Sequence, residues 1–305
     1  MNDIFILIGP TASGKSNLAI KLVNKFPFEI INADLFSAYR DLSIGTAKPS
    51  KEELNRYKHH LINILEPTMQ YNVSQYCTDA KKSIKEILCS KKIPLITGGS
   101  MMYVYQLLNG LSHEYDVSDT DLKLIKFIQN RYTNEQIFKS IYNYNPDLTD
   151  KINFNDSYRL EKLIQRLISN KSNKKNFKGL YKEKNIKIHI IFITISDRQH
   201  LKEAIKRRTD NMLRNGLIEE VDSLVSKFNL NSLTQSMRAI GYRETLQYLN
   251  KEITLDELHS SITISTQQLA KRQITWMKKF KIDYKYSYPE NNYHSLFGYI
   301  KKILN

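Results

Sequence analysis

Ile4-Phe5-Ile6-Leu7-Ile8-Gly9-Pro10-Thr11-Ala12-Ser13-Gly14-Lys15-Ser16 decides the fold. The apolar run from Ile4 to Ile8 reads as a buried strand, and Leu18, Ala19, Leu22, Val23 and Phe26 then recur at helical spacing. Between strand and helix, Gly9 to Ser16 fits the pattern G-x-x-x-x-G-K-[ST] of a P-loop. Glycines let backbone N–H groups curl around phosphate oxygens, and the amino end of the helix adds a favourable dipole. Gly9, Pro10, Thr11, Ala12, Ser13, Gly14, Lys15 and Ser16 are therefore the candidate diphosphate-binding residues. Lys15 is placed to neutralise the outer phosphate and Ser16 to ligate Mg²⁺, the one expected cofactor.

Outward from this unit, strands are expected at Phe28 to Ala33, His60 to Leu65, Ile93 to Thr97 and Ile188 to Ile195, with a helix from Val73 to Leu88. Strands alternating with helices imply a parallel sheet, so the fold class is α/β, a P-loop NTPase-like parallel sheet flanked by helices. From Ser118 to Ser169 the spacing is helical, Asn170 to Lys187 is a lysine-rich linker, and Gln199 onward reads as helices to the end. The expected organisation is a P-loop core over 1–115 and 188–305 with an inserted all-helical domain over 116–187.

The chain has 305 residues, 41% of them hydrophobic, enough for a sizeable core. No apolar run approaches the roughly 20 residues of a membrane span, and the amino end lacks the basic region of a secretion signal. No membrane association and a cytoplasmic location are expected. Two cysteines, Cys77 and Cys89, support neither a disulfide framework nor a zinc site, and His59 and His60, neighbours on a strand, point to opposite faces and cannot converge on an ion. The formal net charge of +15 suits a polyanionic partner, although a Lys-, Asn- and Ile-rich composition raises the charge by itself.

A P-loop is an ATP-binding motif by pattern, yet the further parts of a nucleotide-hydrolysing site are thin. No clear apolar run ends in a Mg²⁺-binding Asp of the Walker B kind. Phe28-Glu29-Ile30-Ile31-Asn32-Ala33-Asp34 instead puts a carboxylate just past a strand, on the edge where open α/β sheets build their sites. Ile44-Gly45-Thr46-Ala47-Lys48-Pro49, Gly98-Gly99-Ser100, Ala239-Ile240-Gly241-Tyr242 and Gln268-Leu269-Ala270-Lys271-Arg272-Gln273-Ile274-Thr275-Trp276 follow. Through these motifs the chain resembles the tRNA dimethylallyltransferases, or isopentenyltransferases, over most of its length.

The resemblance implies that the P-loop holds the pyrophosphate of dimethylallyl diphosphate. It assigns Asp34 as general base toward the weakly nucleophilic N6 amine of adenine, Ser100 as the hydroxyl that orients base and amine, and Arg208 as a second phosphate-binding cation. The implied target is the adenosine 3′ to the anticodon, position 37, in tRNAs reading codons that begin with U. Such a base must be flipped into a pocket. Asp34, Leu35, Ser37, Tyr39, Lys48, Arg238, Lys271, Arg272 and Gln273 occupy the corresponding tRNA-binding positions, and the helical insertion is expected to grip the anticodon stem. Trp276 with Lys278-Lys279-Phe280-Lys281 interleaves aromatics and charge, as stacking on single-stranded RNA favours, or else forms an amphipathic helix with Trp276 and Phe280 inward. A monomer is expected.

The chain departs from the family where Leu35 replaces a Ser, Ser37 a Gln and Gln267 an Arg. Competing readings are a P-loop small-molecule kinase with Asp34 activating an acceptor hydroxyl, a tRNA-binding protein whose catalysis has decayed, and another kind of prenyltransferase. Against the last, paired aspartate-rich metal motifs are missing.

Overall fold

The computed structural model describes residues 2–114, 118–150, 152–168, 175–288 and 293–305. The chain divides into two compact units, Met1–Asn109 with Gly179–Asn305, and Gly110–Lys178. In the first, β1 (Asn2–Ile8), α1 (Lys15–Lys25), β2 (Phe28–Asn32), α2 (Lys51–Arg56), β3 (His59–His60), α3 (Val73–Cys89), β4 (Ile93–Thr97) and α4 (Met101–Asn109) precede the second unit. The second unit comprises β5 (Gly110–Glu114), α5 (Asp119–Arg131), α6 (Asn134–Tyr144), α7 (Ser157–Ile168) and β6 (Lys175–Lys178). The first unit resumes with β7 (Ile186–Ile195), α8 (Arg198–Arg214), α9 (Leu217–Phe228), α10 (Tyr242–Leu249), α11 (Leu255–Met277), β8 (Tyr284–Tyr288) and α12 (Tyr293–Leu304).

Six parallel strands lie in the order β3-β2-β4-β1-β7-β8. Residues Ile4 to Ile8 are fully buried, which is why a central parallel strand reads as an unbroken apolar run. Leu18, Ala19 and Leu22 of α1 pack with Phe5, Leu7 and Leu95 on one face of the sheet, joined by Leu296 and Ile300 of α12. A second core gathers Tyr39, Leu42, Leu217, Val221, Tyr242, Leu258 and Ile262. From β1 the chain passes through α1 to β2, two places along the sheet, and β4 later fills the gap. The carboxyl ends of β1, β4 and β2 thus frame one crevice, the position at which open α/β sheets bind ligands.

Three elements differ from the sequence reading. The strand expected over His60 to Leu65 stops at His60, because Leu61 and Asn63 take left-handed backbone angles (φ 64° and 55°). The carboxyl-terminal region is not helical to the end: Tyr284–Tyr288 forms β8 on the open edge of β7, with Tyr284 in tilted ring contact with Tyr299 of α12 and Tyr286 stacked on its Tyr293. The second unit has a helical core of Ile125, Ile137, Ile141, Leu160, Leu163 and Ile164, but its ends pair as an antiparallel ribbon, β5 with β6, so the division falls at 110 and 178 instead of 116 and 187. Of the expected linker, residues 170–174 lie outside the described residues. The remainder forms β6, a 3-10 turn at Leu180–Lys182 and the start of β7. Cys77 is buried and Cys89 exposed on α3.

Candidate active site

The P-loop joins β1 to α1, and its lysine is enclosed. Lys15 Nζ donates to the carbonyls of Gly9 (2.9 Å) and Pro10 (2.7 Å). Burial, and then the Arg208 charge, pull the Lys15 ammonium down to about 7, with Asp34 opposing them. Arg208, from α8, reaches across to donate from Nη1 to Thr11 Oγ1 at 3.2 Å. Burial lowers that guanidinium too, and Asp34 again counteracts. These two desolvated cations and the Asp34 carboxylate therefore share a cavity of about 590 Å³, whose wall also includes Ser16, Ser37 and Gly99. Cations without enough counter-charge bind an anion strongly in such a setting, since the surroundings screen them poorly.

Asp34 stands two residues beyond Asn32, the end of β2, and is held from both sides. Asn32 Nδ2 donates to the Asp34 carbonyl (2.9 Å), and the Asp34 N–H returns a bond to Asn32 Oδ1 (3.0 Å). Asp34 Oδ1 accepts from the Phe36 N–H at 3.0 Å, which orients the carboxylate. Its other oxygen, Oδ2, faces Gly99 so closely that a Cβ there would lie 2.9 Å from it and 2.9 Å from Gln273 Nε2. A Cβ at 99 would have to displace one or both of these side-chain ends. Ser100 Oγ accepts from the Leu35 N–H (3.0 Å), and the Ser100 N–H donates to the Ala33 carbonyl (2.9 Å), so this hydroxyl supports the loop that presents Asp34.

The expected RNA-facing residues separate into two groups. Asp34, Ser37, Lys48, Arg238 and Arg272 line the cavity, the two arginines exposed at its rim. Lys271 is exposed on α11, outside the lining. Tyr39 is a correction: it is fully buried in the second core, its hydroxyl donates to Gln235 Oε1 (2.9 Å), and burial pushes it up to about 12. It is a framework residue with no surface for RNA. Leu35 likewise turns its side chain onto that core. Gln273, 3% exposed, is a strut: Oε1 accepts from the Thr11 N–H (2.7 Å) and Nε2 donates to the Gly99 carbonyl (2.9 Å), tying the P-loop to the turn beside Asp34. Lys48 donates to the Tyr39 carbonyl and to Asn63 Oδ1 (2.7 Å), and burial lowers its ammonium to about 8 against the pull of Glu220 and Asp41.

Two motifs that look unrelated in sequence lock together. The Tyr242 ring lies against Gly45, where a Cβ would come within 2.4 Å of it. The Tyr242 hydroxyl donates to Glu220 Oε1 at 2.5 Å, and the same carboxylate accepts the N–H groups of Ser43 and Ile44. The segment from Ile44 to Pro49, which walls the cavity, is thereby fastened to α9 and α10. Sequence reasoning missed Glu220 and Gln235, which carry no local signal. It missed Asn32 although it lies two residues before Asp34. His59 and His60 do face opposite ways: His59 lines the cavity and bonds the Tyr57 carbonyl (2.7 Å), while His60 donates to Glu29 (2.8 Å). Trp276 packs edge-on against Tyr105 with Lys279 over its ring, and Phe280 is buried, so that stretch is both packed and basic. Among the described residues no group of three or more His, Cys, Asp or Glu could hold a metal, and no helix is long and apolar enough to cross a membrane.

Residues 37–280 match the sequence model of the family described as IPP transferase. The chain is 35% identical over 279 residues to a tRNA dimethylallyltransferase of Coxiella burnetii, covering 91% of this chain and 90% of that one. It is 34% identical over 282 residues to that of Caldanaerobacter subterraneus, covering 91% and 89%. Among solved structures, the tRNA isopentenylpyrophosphate transferase of Staphylococcus epidermidis superposes with a TM-score of 0.70 at 26% identity, over 100% of this chain and 99% of that one. A eukaryotic dimethylallyltransferase shares the fold (TM-score 0.82, 21% identity, 100% and 80% coverage). With its P-loop, its strand-end carboxylate and these relatives, the chain belongs to the IPP transferase family of tRNA dimethylallyltransferases.

Proposed function

We propose that this cavity transfers the dimethylallyl group of dimethylallyl diphosphate to the N6 amine of the adenosine at position 37 of tRNAs reading codons that begin with U. The observation that carries the reading is the placement of a base and an anion site in one cavity: Asp34 faces it from the turn after β2, Lys15 from the P-loop and Arg208 from α8. In the transfer the allylic C–O bond breaks, the N6–C bond forms, and diphosphate leaves with the bonding pair. The amine proton passes to Asp34, whose Oδ2 is the oxygen not bonded to the Phe36 N–H. Lys15 and Arg208 stabilise the charge that grows on the departing oxygens. Thr11 and Ser13 add hydroxyls to the same wall.

Ser16 is exposed at the first turn of α1, and among the described residues the cavity offers oxygen donors but no cluster of metal-ligating side chains, which suits Mg²⁺ held mainly by phosphate oxygens and water. When bound, Mg²⁺ supplies further neutralisation of the diphosphate. The anticodon loop is proposed to enter past Arg238 and Arg272, with the helical unit gripping the stem, and the protein to work as a cytoplasmic monomer. Gln273 and Tyr39 support the site from behind.

Incubating the protein with Mg²⁺, dimethylallyl diphosphate and tRNA lacking the modification, then digesting the RNA for mass spectrometry, tests the reading. Prenylated adenosine that requires the diphosphate and not ATP is the expected result. Tight tRNA binding without product points to a decayed binder, and ATP consumption to a kinase.

A further inference from the structure

We propose that Thr97 holds the hydration shell of the divalent cation that accompanies the diphosphate, standing where P-loop nucleotide hydrolases carry an acidic side chain. The inference rests on the function proposed above. In those proteins an Asp that ends an apolar strand helps hold Mg²⁺ opposite the P-loop Ser or Thr. Here β4 is the strand beside β1, in register Leu7 with Thr97, and its run Ile93-Pro94-Leu95-Ile96 ends in a threonine. The missing acidic motif is therefore a replaced one.

Its direction follows from the pleat. Leu95 packs with Leu18, Ala19 and Leu22 of α1, and residues two apart on a strand share a face, so Thr97 is directed toward the first turn of α1, where Lys15 and Ser16 begin the helix. Thr97 lines the cavity together with both of them. Its Oγ1 is screened from bulk solvent and has no hydrogen-bond partner among the described residues. A buried hydroxyl in that state calls for a partner that the polypeptide does not provide.

The chemistry of a hydroxyl explains what the replacement achieves. It accepts a hydrogen bond from water on a cation, as a carboxylate does, but brings no charge. Of the carboxylates lining the cavity, Glu53 already caps α2 through the Ser50 N–H, and Asp34 serves the acceptor side. A third carboxylate at 97 would fix a cation ahead of the substrate and draw it toward Asp34. With Thr97, Mg²⁺ is recruited by the diphosphate and positioned by the protein.

The test is calorimetric binding of inorganic pyrophosphate over a series of Mg²⁺ concentrations, with thermal melting alongside. For Thr97→Val, the Mg²⁺ concentration giving half of the metal-dependent tightening should rise about tenfold, the effect of one lost charge-assisted hydrogen bond. Affinity for pyrophosphate without metal should stay as in the unsubstituted protein. Thr97→Ser should restore the Mg²⁺ dependence, and Thr97→Asp should bind Mg²⁺ with no pyrophosphate present. An unchanged Mg²⁺ dependence in Thr97→Val, or an equal loss with and without metal, overturns the assignment. Should valine unfold the protein, Thr97→Ala is read by the same criteria. Pyrophosphate binding by the unsubstituted protein that ignores Mg²⁺, with no transfer to tRNA, would instead remove the proposed function itself.

Discussion

Two carboxylates sit at opposite ends of β2, and their surroundings divide the molecule into a part that holds and a part that reacts. Glu29, at the amino end, is 4% exposed and is met by Lys92 (2.8 Å), His60 (2.8 Å) and Lys58 (3.2 Å). Burial alone would raise its carboxyl, but the hydrogen bonds from Lys92, His60 and Lys58 outweigh that and hold it at about 2, below the usual 4.5. Asp34, past the carboxyl end, has one oxygen fixed by a backbone N–H and the other facing the cavity, and no ion pair closes on it within 4 Å among the described residues. A saturated acid has no capacity left for a proton in transit. Asp34 instead leaves one oxygen open to the cavity, where an acceptor group can reach it. The difference lies in the neighbours, since one residue lies on β2 and the other just past its end, and both belong to the same chemical class.

The largest expected effect comes from removing the reactive member. Asp34→Asn should cut prenyl transfer by about 10²- to 10⁴-fold, the usual contribution of a general base, while melting temperature and tRNA affinity stay near those of the unsubstituted protein. Near-normal transfer in single-turnover assays would break the comparison. Next, Glu29→Gln should cost about 2 kcal/mol of stability in denaturant unfolding, as losing hydrogen bonds between a buried carboxylate and charged partners does, with kcat/KM unaltered under folding conditions. The pH signature has a definite sign. A carboxyl held low in the folded state stabilises above its unfolded value near 4.5, and that contribution fades as pH falls through about 2. The acid loss of stability between those values should accordingly be shallower in Glu29→Gln.

A smaller effect concerns Lys15, whose ammonium lies at about 7 before an anion joins it. A diphosphate favours the charged form, so binding should take up a proton above pH 7. Affinity should be flat below pH 7 and weaken by up to about tenfold per unit above it, which calorimetry in buffers of different ionisation enthalpy measures. The smallest is Tyr39→Phe, which removes one satisfied hydrogen bond to Gln235 and should cost about 1 kcal/mol with no change in tRNA affinity at fixed salt. A selective loss of tRNA binding would return Tyr39 to the RNA surface.

The sequence disclosed those parts of the fold and site that are written locally. The P-loop, the strand-end Asp34 and the parallel core announce themselves within windows of a few residues, because strand burial and phosphate cradling impose short-range patterns. What stayed hidden depends on partners far along the chain. Gln273 meets Thr11 across 262 positions, and nothing beside it in sequence marks it as a strut. Tyr39 sits on a motif position that reads equally as surface or core until Leu42, Met237 and Tyr242 close around it. The alternation Tyr284-Lys285-Tyr286-Ser287-Tyr288 was a legible strand signal, obscured by the helices on both sides. The β5–β6 ribbon brings Gly110 opposite Lys178, a pairing that neither segment predicts by itself.

The contact of Gly45 with the Tyr242 ring also bears on how this chain can change over generations. Any side chain at 45 collides with an aromatic ring that is itself pinned by Glu220, so neither position can drift while the other stands. A substitution at 45 becomes tolerable once 242 has shrunk, and a smaller residue at 242 leaves a hole that only a larger 45 refills. Two words of sequence almost two hundred residues apart are thus inherited as one, and a lineage can alter that wall of the cavity only by passing through a state in which half of the pair is wrong.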